Sequence, residues 1–247
     1  MLTRPITRGI TRPITRPLVR QSSTFNPLTL FAQGQQGAWY DPSDLTTLFQ
    51  DSAGTTPVTA DGDPVGLMLD KSGNDNHASL STTAAKPTYR TDGALHWLEY
   101  DGSDLLVTTY SNSGGFSAVF GFMSESNSDF IMDGGDSNSS SLATVDGVRL
   151  YSGDAGFSAP YTLNTNAILT GYFNQEASYI RVNGSQTDGA AGTLSDSAKV
   201  LGISGNQSSF GLNGKIYGVI MRDGEFSAVE VEQAEQYLAN KAGVTLP

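Results

Sequence analysis

The chain has 247 residues, 14 of them basic and 25 acidic, no cysteine and a formal charge of −11 at pH 7. The lack of cysteine excludes disulfide frameworks, thiolate zinc sites, iron–sulfur clusters and cysteine nucleophiles, and two histidines give a histidine-based metal centre little to build on. No apolar run approaches the roughly 20 residues that span a bilayer, so we expect no membrane insertion.

The first 20 residues form a repeat whose charge is opposite to that of the rest. Its copies are LTR, PITR, GITR, PITR and PLVR, with five arginines and no acid, so the remaining residues carry a charge of −16. Pro5, Pro13 and Pro17 exclude a helix, because each would remove a backbone donor at a cost of about 3 kcal/mol. The sequence therefore predicts an extended basic arm over residues 1–24.

In an extended arm, arginine alternates with isoleucine or leucine on one face. That face carries Arg4, Ile6, Arg8, Ile10, Arg12, Ile14, Arg16, Leu18 and Arg20. The arm is too short to bury enough apolar surface by itself, so we expect it to order on a neighbouring protein, with its arginines on carboxylates. The alternative is a disordered basic tail. We expect no nucleic-acid partner, because the acidic remainder would repel phosphates.

A linker and a single domain follow the arm. Residues 25–38 are neutral and contain Pro27, Gly34 and Gly37, which indicates a linker. The length that remains, residues 39–247, suits one β-sandwich rather than two domains.

The sequence predicts one helix at each end of this domain. Asp41 and Pro42 form an N-terminal cap signal for a short helix that should end within ten residues. At the other end, Ser227 and Glu230 form a capping box, an apolar stripe follows, and Gly243 is the stop signal. We expect this longer helix to pack on the sandwich.

Between the two helices, short apolar stretches recur with Gly, Asn and Asp between them. They are VGLMLD, ALHWLEY, DLLVTT, FSAVFGFM, DFIMDG, VRLYSG, AILTGYFN, SYIRVNG, KVLGIS and KIYGVIMR. Many of them alternate with period two, which predicts an all-β domain. Asn183-Gly184 is a strong signal for a hairpin turn, so the strands on either side should pair.

The order of these motifs resembles a known family. The motifs are GAWYDPSDLTTLFQD, DKSGNDNHA, WLEYDGSDLLV, YIRVNGSQ and the C-terminal FGLNGKIYGVIMRDGEFSAVEVEQAEQYLANKAGV. They resemble the concanavalin A-like, laminin G-type jelly rolls of bacteriophage and prophage structural proteins over roughly residues 25–247. The resemblance implies a two-sheet antiparallel jelly-roll sandwich with the short helix, the C-terminal helix and the extended arm outside it.

The resemblance also implies a function. We expect a non-enzymatic virion protein, a subunit of a tail fibre, a tail tip or a head spike or decoration. Its arm would bind other tail, fibre or capsid proteins, and its lectin-like domain would stand on the particle surface as a homo-oligomer, by analogy with phage fibres a trimer. The alternative is a carbohydrate-binding module for host surface glycans, and the third reading is a glycosidase.

The residues themselves give few candidates for chemistry. Glu99, Asp101 and Asp104 are the closest acids to a glycosidase pair, but Gly102 and Ser103 between them indicate a turn. His77 and His96 each stand alone in their motifs, as packed histidines do. Trp39, Trp97, Tyr110, Tyr151, Tyr161 and Tyr172 could stack on sugars or fill the core, and the sequence does not select among them.

Calcium is the only cofactor that the sequence suggests. Asp70, Asn74 and Asp75 offer hard oxygen ligands at short spacing in one loop. The same residues form turns, because Asn and Asp tolerate a left-handed backbone. We expect a structural turn in the first place and a calcium site as the alternative.

Overall fold

A computed structural model describes residues 25–112, 114–135, 140–153, 155–193, 199–205 and 210–247. The predicted arm, with its nine alternating arginine, isoleucine and leucine residues, lies outside these ranges. Within them the chain is almost entirely β-structure.

Seventeen strands and one α-helix make up the described chain. The strands are β1 (Gly37–Tyr40), β2 (Leu48–Phe49), β3 (Leu67–Met68), β4 (Ala78–Ser79), β5 (Thr88–Thr91), β6 (His96–Asp101), β7 (Leu106–Asn112), β8 (Phe116–Ser124), β9 (Asp129–Asp133), β10 (Ser140–Thr144), β11 (Val148–Ser152), β12 (Ala155–Ala159), β13 (Ala167–Phe173), β14 (Ser178–Val182), β15 (Ser185–Gly189), β16 (Lys199–Ile203) and β17 (Asn213–Asp223). Helix α1 spans Ala228–Ala242, and single 3-10 turns occupy Pro27–Phe31, Leu45–Thr47, Thr83–Ala85 and Gln175–Ala177.

The strands form two antiparallel sheets. The eight-stranded sheet has the order β15-β14-β13-β8-β17-β6-β5, with β1 also paired to β17. The nine-stranded sheet has the order β12-β11-β10-β9-β16-β7-β4-β3-β2. Strands that follow one another in the chain are often far apart in these orders or lie in different sheets. Their connections therefore cross from one sheet to the other. The predicted two-sheet antiparallel sandwich is confirmed.

One continuous apolar core lies between the two sheets. In β7, alternate side chains point inward, and Leu106, Thr108 and Tyr110 are buried while the residues between them reach the surface. Strand β8 differs, because all nine of its residues are buried. Its second face lies under α1, which explains why its sequence is apolar without alternation.

The predicted C-terminal helix is confirmed with its caps. The Ser227 hydroxyl and the Glu230 carboxylate form the capping box, and Gly243 ends the helix with a φ of 67°. The apolar stripe of α1 packs on outward-facing residues of the eight-stranded sheet, among them Val119 and Ile220. Within the described ranges, no helix has both the length and the apolar character needed to cross a membrane.

Two predictions for the start of the domain need correction. The expected helix after Asp41 is a single 3-10 turn, because β2 follows at once and uses its backbone groups to pair with β3. The expected linker, residues 25–38, is part of the domain: Leu30 and Phe31 are buried, and β1 begins at Gly37.

Two buried carboxylates hold α1 in place. Glu235 is 2% exposed; Arg181 donates to it from Nε at 2.7 Å and from a terminal nitrogen at 3.0 Å, and Thr170 donates its hydroxyl at 2.8 Å. These partners lie on β14 and β13, so the contact joins the helix to the sheet. Paired and hydrogen-bonded in this way, the charge can remain buried.

The second carboxylate, Asp41, joins α1 to the chain after β1. It accepts from the Tyr237 hydroxyl at 2.9 Å and from Lys241 at 3.0 Å, and it receives the Ser43 hydroxyl at 2.6 Å. Burial alone would raise the pKa of Asp41, but the Ser43 hydrogen bond and the charges of Lys241 and Lys71 lower it to about 2.

Breaking the buried pair from one side should destabilise the domain strongly. We expect Arg181→Met to lower the free energy of unfolding by about 3–5 kcal/mol, because Glu235 would stay buried without its partner. Adding Glu235→Met should restore much of this loss. Arg90→Met is the control, since its ion pairs with Glu99 and Asp61 are about half exposed and should be worth at most about 1 kcal/mol. Urea unfolding gives the free energy of unfolding of the wild type, the two single variants and the double variant. Equal losses of stability for Arg181→Met and Arg90→Met would contradict the prediction.

Candidate functional site

The loop proposed for calcium is a hydrogen-bonded turn. Asp70 Oδ1 accepts the backbone N–H groups of Trp39 and Ser72, both at 2.8 Å, and Oδ2 accepts the Ser72 hydroxyl and the Asn76 N–H. Asn74 donates its amide to carbonyl oxygens next to β1. The carboxylate of Asp70 thus serves to bind the start of β1.

Asp75 takes no part in this set of hydrogen bonds. It is exposed, and its φ of 58° matches the left-handed turn that its sequence suggested. The described residues contain no group of three acidic or histidine side chains suited to a metal ion. N–H and O–H groups of the loop and of β1 already donate to both oxygens of Asp70, so this arrangement fits a structural turn and does not fit a calcium site.

The three acids considered for glycoside cleavage are in different environments. Glu99 is bound by Arg90 at 2.7 Å. Asp101 is exposed, and its pKa is lowered by hydrogen bonds from Ser103. Asp104 is 7% exposed, and burial together with the charge of Asp101 raises its pKa to about 6. Its Oδ2 accepts the Asp101 backbone N–H at 3.1 Å, so the two acids belong to one tight turn.

Both histidines are engaged with neighbours, as expected for packed histidines. His77 Nδ1 accepts the backbone N–H of Asp70 at 3.2 Å, and His96 Nδ1 lies 2.6 Å from the Tyr89 hydroxyl. Three of the six aromatic candidates, Trp39, Tyr110 and Tyr172, are at most 8% exposed, and the other three are partly buried.

Tyr161 is the aromatic residue that lines a cavity in the described chain. This end cavity, of about 940 Å³, opens at one end of the sandwich. Four stretches of the chain form it: the turn between β10 and β11, the end of β12 with the loop that follows it, the β14–β15 hairpin, and Pro247. Its polar side chains include Asp146, Tyr161, Thr162, Asn183, Ser185 and Thr187.

The walls of the end cavity are held by local hydrogen bonds. The Tyr161 hydroxyl donates to the Thr165 carbonyl and accepts the Ser124 backbone N–H, both at 2.9 Å. Its ring packs on Phe122 with the centroids 4.9 Å apart. On the opposite wall, Asn183 Oδ1 accepts the Ile168 N–H at 2.8 Å. The ring and the amide are therefore fixed before any ligand binds.

Several polar groups of the cavity remain available to a ligand. The hydroxyls of Thr162, Ser185 and Thr187 and the amide nitrogen of Asn183 make no hydrogen bond to any described residue. Asp146 is the one charged side chain among the described lining residues. A concave site with an aromatic wall, free hydroxyls, a free amide and little charge suits a neutral polar ligand.

Solved structures share the fold of this chain. Domain 4 of AbnA, a GH43 extracellular arabinanase from Geobacillus stearothermophilus in complex with arabinotriose, is 12% identical with a TM-score of 0.53, over 68% of this chain and 92% of that one. An arabinofuranosidase complexed with arabinofuranosyl-alpha-1,2-xylobiose is 14% identical with a TM-score of 0.59, over 90% and 66%. Trypanosoma rangeli sialidase in complex with sialic acid is 11% identical with a TM-score of 0.55, over 86% and 34%.

These likenesses define the class of the protein by its fold, a two-sheet antiparallel β-sandwich. The chain spans about two thirds of the arabinofuranosidase and one third of the sialidase, so it corresponds to only part of either enzyme. No protein-family model and no curated protein sequence matches the chain.

The expectation that the protein is not an enzyme is wrong. Solved structures with this sandwich include an arabinanase domain, an arabinofuranosidase and a sialidase. The virion assignment came from the resemblance of motifs and stays a prediction, because none of these structures bears on it.

The raised pKa of Asp104 gives a prediction for stability. Its folded value of about 6 lies above the ordinary 3.8, so the folded state holds the proton more tightly than the unfolded state does. Ionisation of Asp104 therefore removes stability as pH rises through about 4 to 6, and the cost persists at pH 7.

Asp104→Asn should remove this cost, because an amide oxygen can still accept the Asp101 N–H. We expect its melting temperature to exceed that of the wild type at pH 7 by a few degrees, about 2–4 °C for each kcal/mol, and to match it near pH 4. Thermal unfolding from pH 4 to 7 checks this, with Asp75→Asn as the control, at an exposed turn position whose left-handed backbone asparagine also tolerates. An advantage of Asp104→Asn that does not change with pH would contradict the prediction.

Proposed function

We propose that the domain binds neutral oligosaccharides in the end cavity. The observation that carries the proposal is the lining: free hydroxyls and one free amide beside a fixed tyrosine ring, with a single charged side chain. Sugars present an apolar ring face and many hydroxyls, so they match such a wall better than an anion or an apolar ligand would. The volume of about 940 Å³ has room for more than one sugar ring.

The structural likenesses support this ligand class. Two of the three solved structures hold arabinose-containing oligosaccharides, which are neutral. The third holds sialic acid, which carries a carboxylate. The described lining of the end cavity contains no lysine or arginine to pair with such a group, so neutral sugars are the better match.

Isosteric variants at the cavity should weaken sugar binding without harming the fold. Thr187→Val removes a free hydroxyl, and Asn183→Asp keeps both the acceptor for Ile168 and the left-handed turn while it removes the free N–H group. We expect each to lower affinity for the best arabino- or xylo-oligosaccharide about tenfold, as the loss of one hydrogen bond does. Thr109→Val, on an exposed face of the nine-stranded sheet, is the matched control.

Calorimetric titration of the wild type and the three variants measures these affinities. The same mixtures are analysed for released sugar, because the fold recurs in glycosidases. Equal affinities for all four proteins would place binding elsewhere on the domain, and no binding of any neutral oligosaccharide at millimolar concentration would overturn the proposal.

A second candidate function concerns the arm. We propose that residues 1–24 fix the protein to a larger assembly, and the motif resemblance favours the surface of a virion, where the sandwich would meet host glycans. Five arginines in strict spacing with isoleucine or leucine support this, because simple solubility requires no such spacing.

Deletion of residues 1–24 tests the second candidate. We expect the truncated chain to fold with an unchanged circular dichroism spectrum, because the described domain begins at residue 25. We also expect it to be lost from assembled particles produced together with their other components. Normal incorporation of the truncated chain, measured by quantitative mass spectrometry of purified particles, would refute this function.

A further inference from the structure

A groove runs between helix α1 and the β14–β15 hairpin. It consists of two adjoining cavities, of about 180 and 450 Å³, which share Arg181 and Glu232 in their walls. Its floor is apolar and aromatic, with Tyr179, Phe226 and Val231. We call this feature the helix groove.

The helix groove is acidic. Glu225 and Glu232 line it and have no ion-pair partner among the described residues, and Asp188 lies beside it on β15. Arg181 adds no free positive charge, because its guanidinium is bound to Glu235. Burial and the charge of Glu225 raise the pKa of Tyr179 to about 12, in keeping with a negative environment.

The wall opposite the helix is an open sheet edge. Strand β15 is the last strand of its sheet, and its hairpin places Val182 opposite Ser185. In a two-residue hairpin that pair is hydrogen-bonded, so Gln186 and Asp188 direct their backbone groups away from β14. Neither makes a backbone hydrogen bond outside the β14 pairing to any described residue.

The arm has the sequence of a strand that can pair on one edge only. Its prolines, Pro5, Pro13 and Pro17, all occupy odd positions, whereas arginine, isoleucine and leucine occupy even ones. In an extended chain, successive backbone groups point to opposite edges. The even positions therefore present an unbroken row of N–H donors on one edge, and the prolines interrupt the other.

The backbone and side-chain requirements of such a pairing agree. Residues directly opposite each other in an antiparallel pair point their side chains to the same face. Gln186 and Asp188 face the helix groove, where Arg181 donates to Gln186. Even-numbered arm residues opposite them would therefore lay arginine and isoleucine over the apolar floor and its acids.

The position of Phe25 favours an arm from another molecule. Phe25 packs edge-on against Tyr237, on the flank of α1 that faces Asp41. The helix groove follows the other flank, beside Glu232 and Gln236. The described chain thus begins on the flank of the helix away from the groove, which favours a neighbouring copy as the source of the arm.

We propose that residues 1–24 of a neighbouring copy add to the open edge of β15 as an antiparallel strand and fill the helix groove with their arginine and isoleucine side chains. The occupant is thus a second copy of this chain, held by backbone hydrogen bonds, apolar contacts and ion pairs. The inference deepens the second candidate function, and it is independent of sugar binding.

A pair of proline variants tests the pairing edge. In the full-length chain, Ile10→Pro removes a donor from the pairing edge, and Thr11→Pro adds a proline to the edge that already carries them. We expect self-association, measured by sedimentation equilibrium, to weaken about tenfold for Ile10→Pro and to stay within about twofold of the wild type for Thr11→Pro. Equal effects of the two substitutions would overturn the strand pairing.

Charge variants test the groove. Glu225→Gln together with Glu232→Gln should weaken self-association about tenfold at low salt and less at high salt. Glu125→Gln, on an exposed turn remote in sequence from the groove, should leave it unchanged. A full-length protein that is monomeric at all concentrations would overturn the proposal; loss of the truncated chain from particles would then still support the second candidate function.

The absence of native cysteine permits a direct test of position. Chains with Ile10→Cys are mixed with chains carrying Gln186→Cys and oxidised, and we expect a disulfide-linked pair on a denaturing gel. Thr109→Cys in place of Gln186→Cys is the control. Cross-linking to position 109 as strong as to position 186 would overturn the location. In a single chain carrying both substitutions, an intramolecular link alone would overturn the exchange between copies.

Discussion

Helix α1 is fixed to the eight-stranded sheet by carboxylates that have almost no contact with water. Glu235 binds Arg181 and Thr170 of the sheet, and Asp41 receives Tyr237 and Lys241 of the helix. Buried charges tolerate few alternative positions, because any shift leaves one of them unpaired. These contacts hold the helix on the sheet beside the helix groove and join it to the segment that follows β1.

The fold could be predicted from the sequence where a local pattern decides it. All ten apolar stretches contain strands, the Asn183-Gly184 hairpin forms, and α1 has the expected caps. Strands β10 and β12 gave no signal, because SSLAT and AGFSA are small and polar and pair only through their neighbours in the sheet. At β2, pairing with β3 replaced the helix that the cap signals predicted, so tertiary hydrogen bonds outweighed local preference.

The end cavity could not be predicted, since four segments distant in sequence form it. Asn183 was identified as a turn residue, and the turn is present, yet its place in a cavity wall depends on the crossover between the sheets. Asp70 shows the opposite case. Its spacing with Asn74 suggested a metal ligand, but the same oxygens bind the backbone next to β1, which a sequence pattern cannot reveal.

Strand β15 borders both surfaces, and alternate side chains beyond its first residue belong to one surface or the other. Thr187 lines the end cavity, Gln186 lines the helix groove on the other side of the sheet, and Ser185, next to the hairpin turn, lines both. A strand added beside β15 would bury the outward backbone of Gln186 and Asp188 and leave the hydroxyl of Thr187 on its own face. If both proposals hold, the period of two lets one strand serve a sugar site and an assembly contact, because the Thr187 hydroxyl and the outward backbone of Gln186 are separate groups, and only Ser185 lies in both walls.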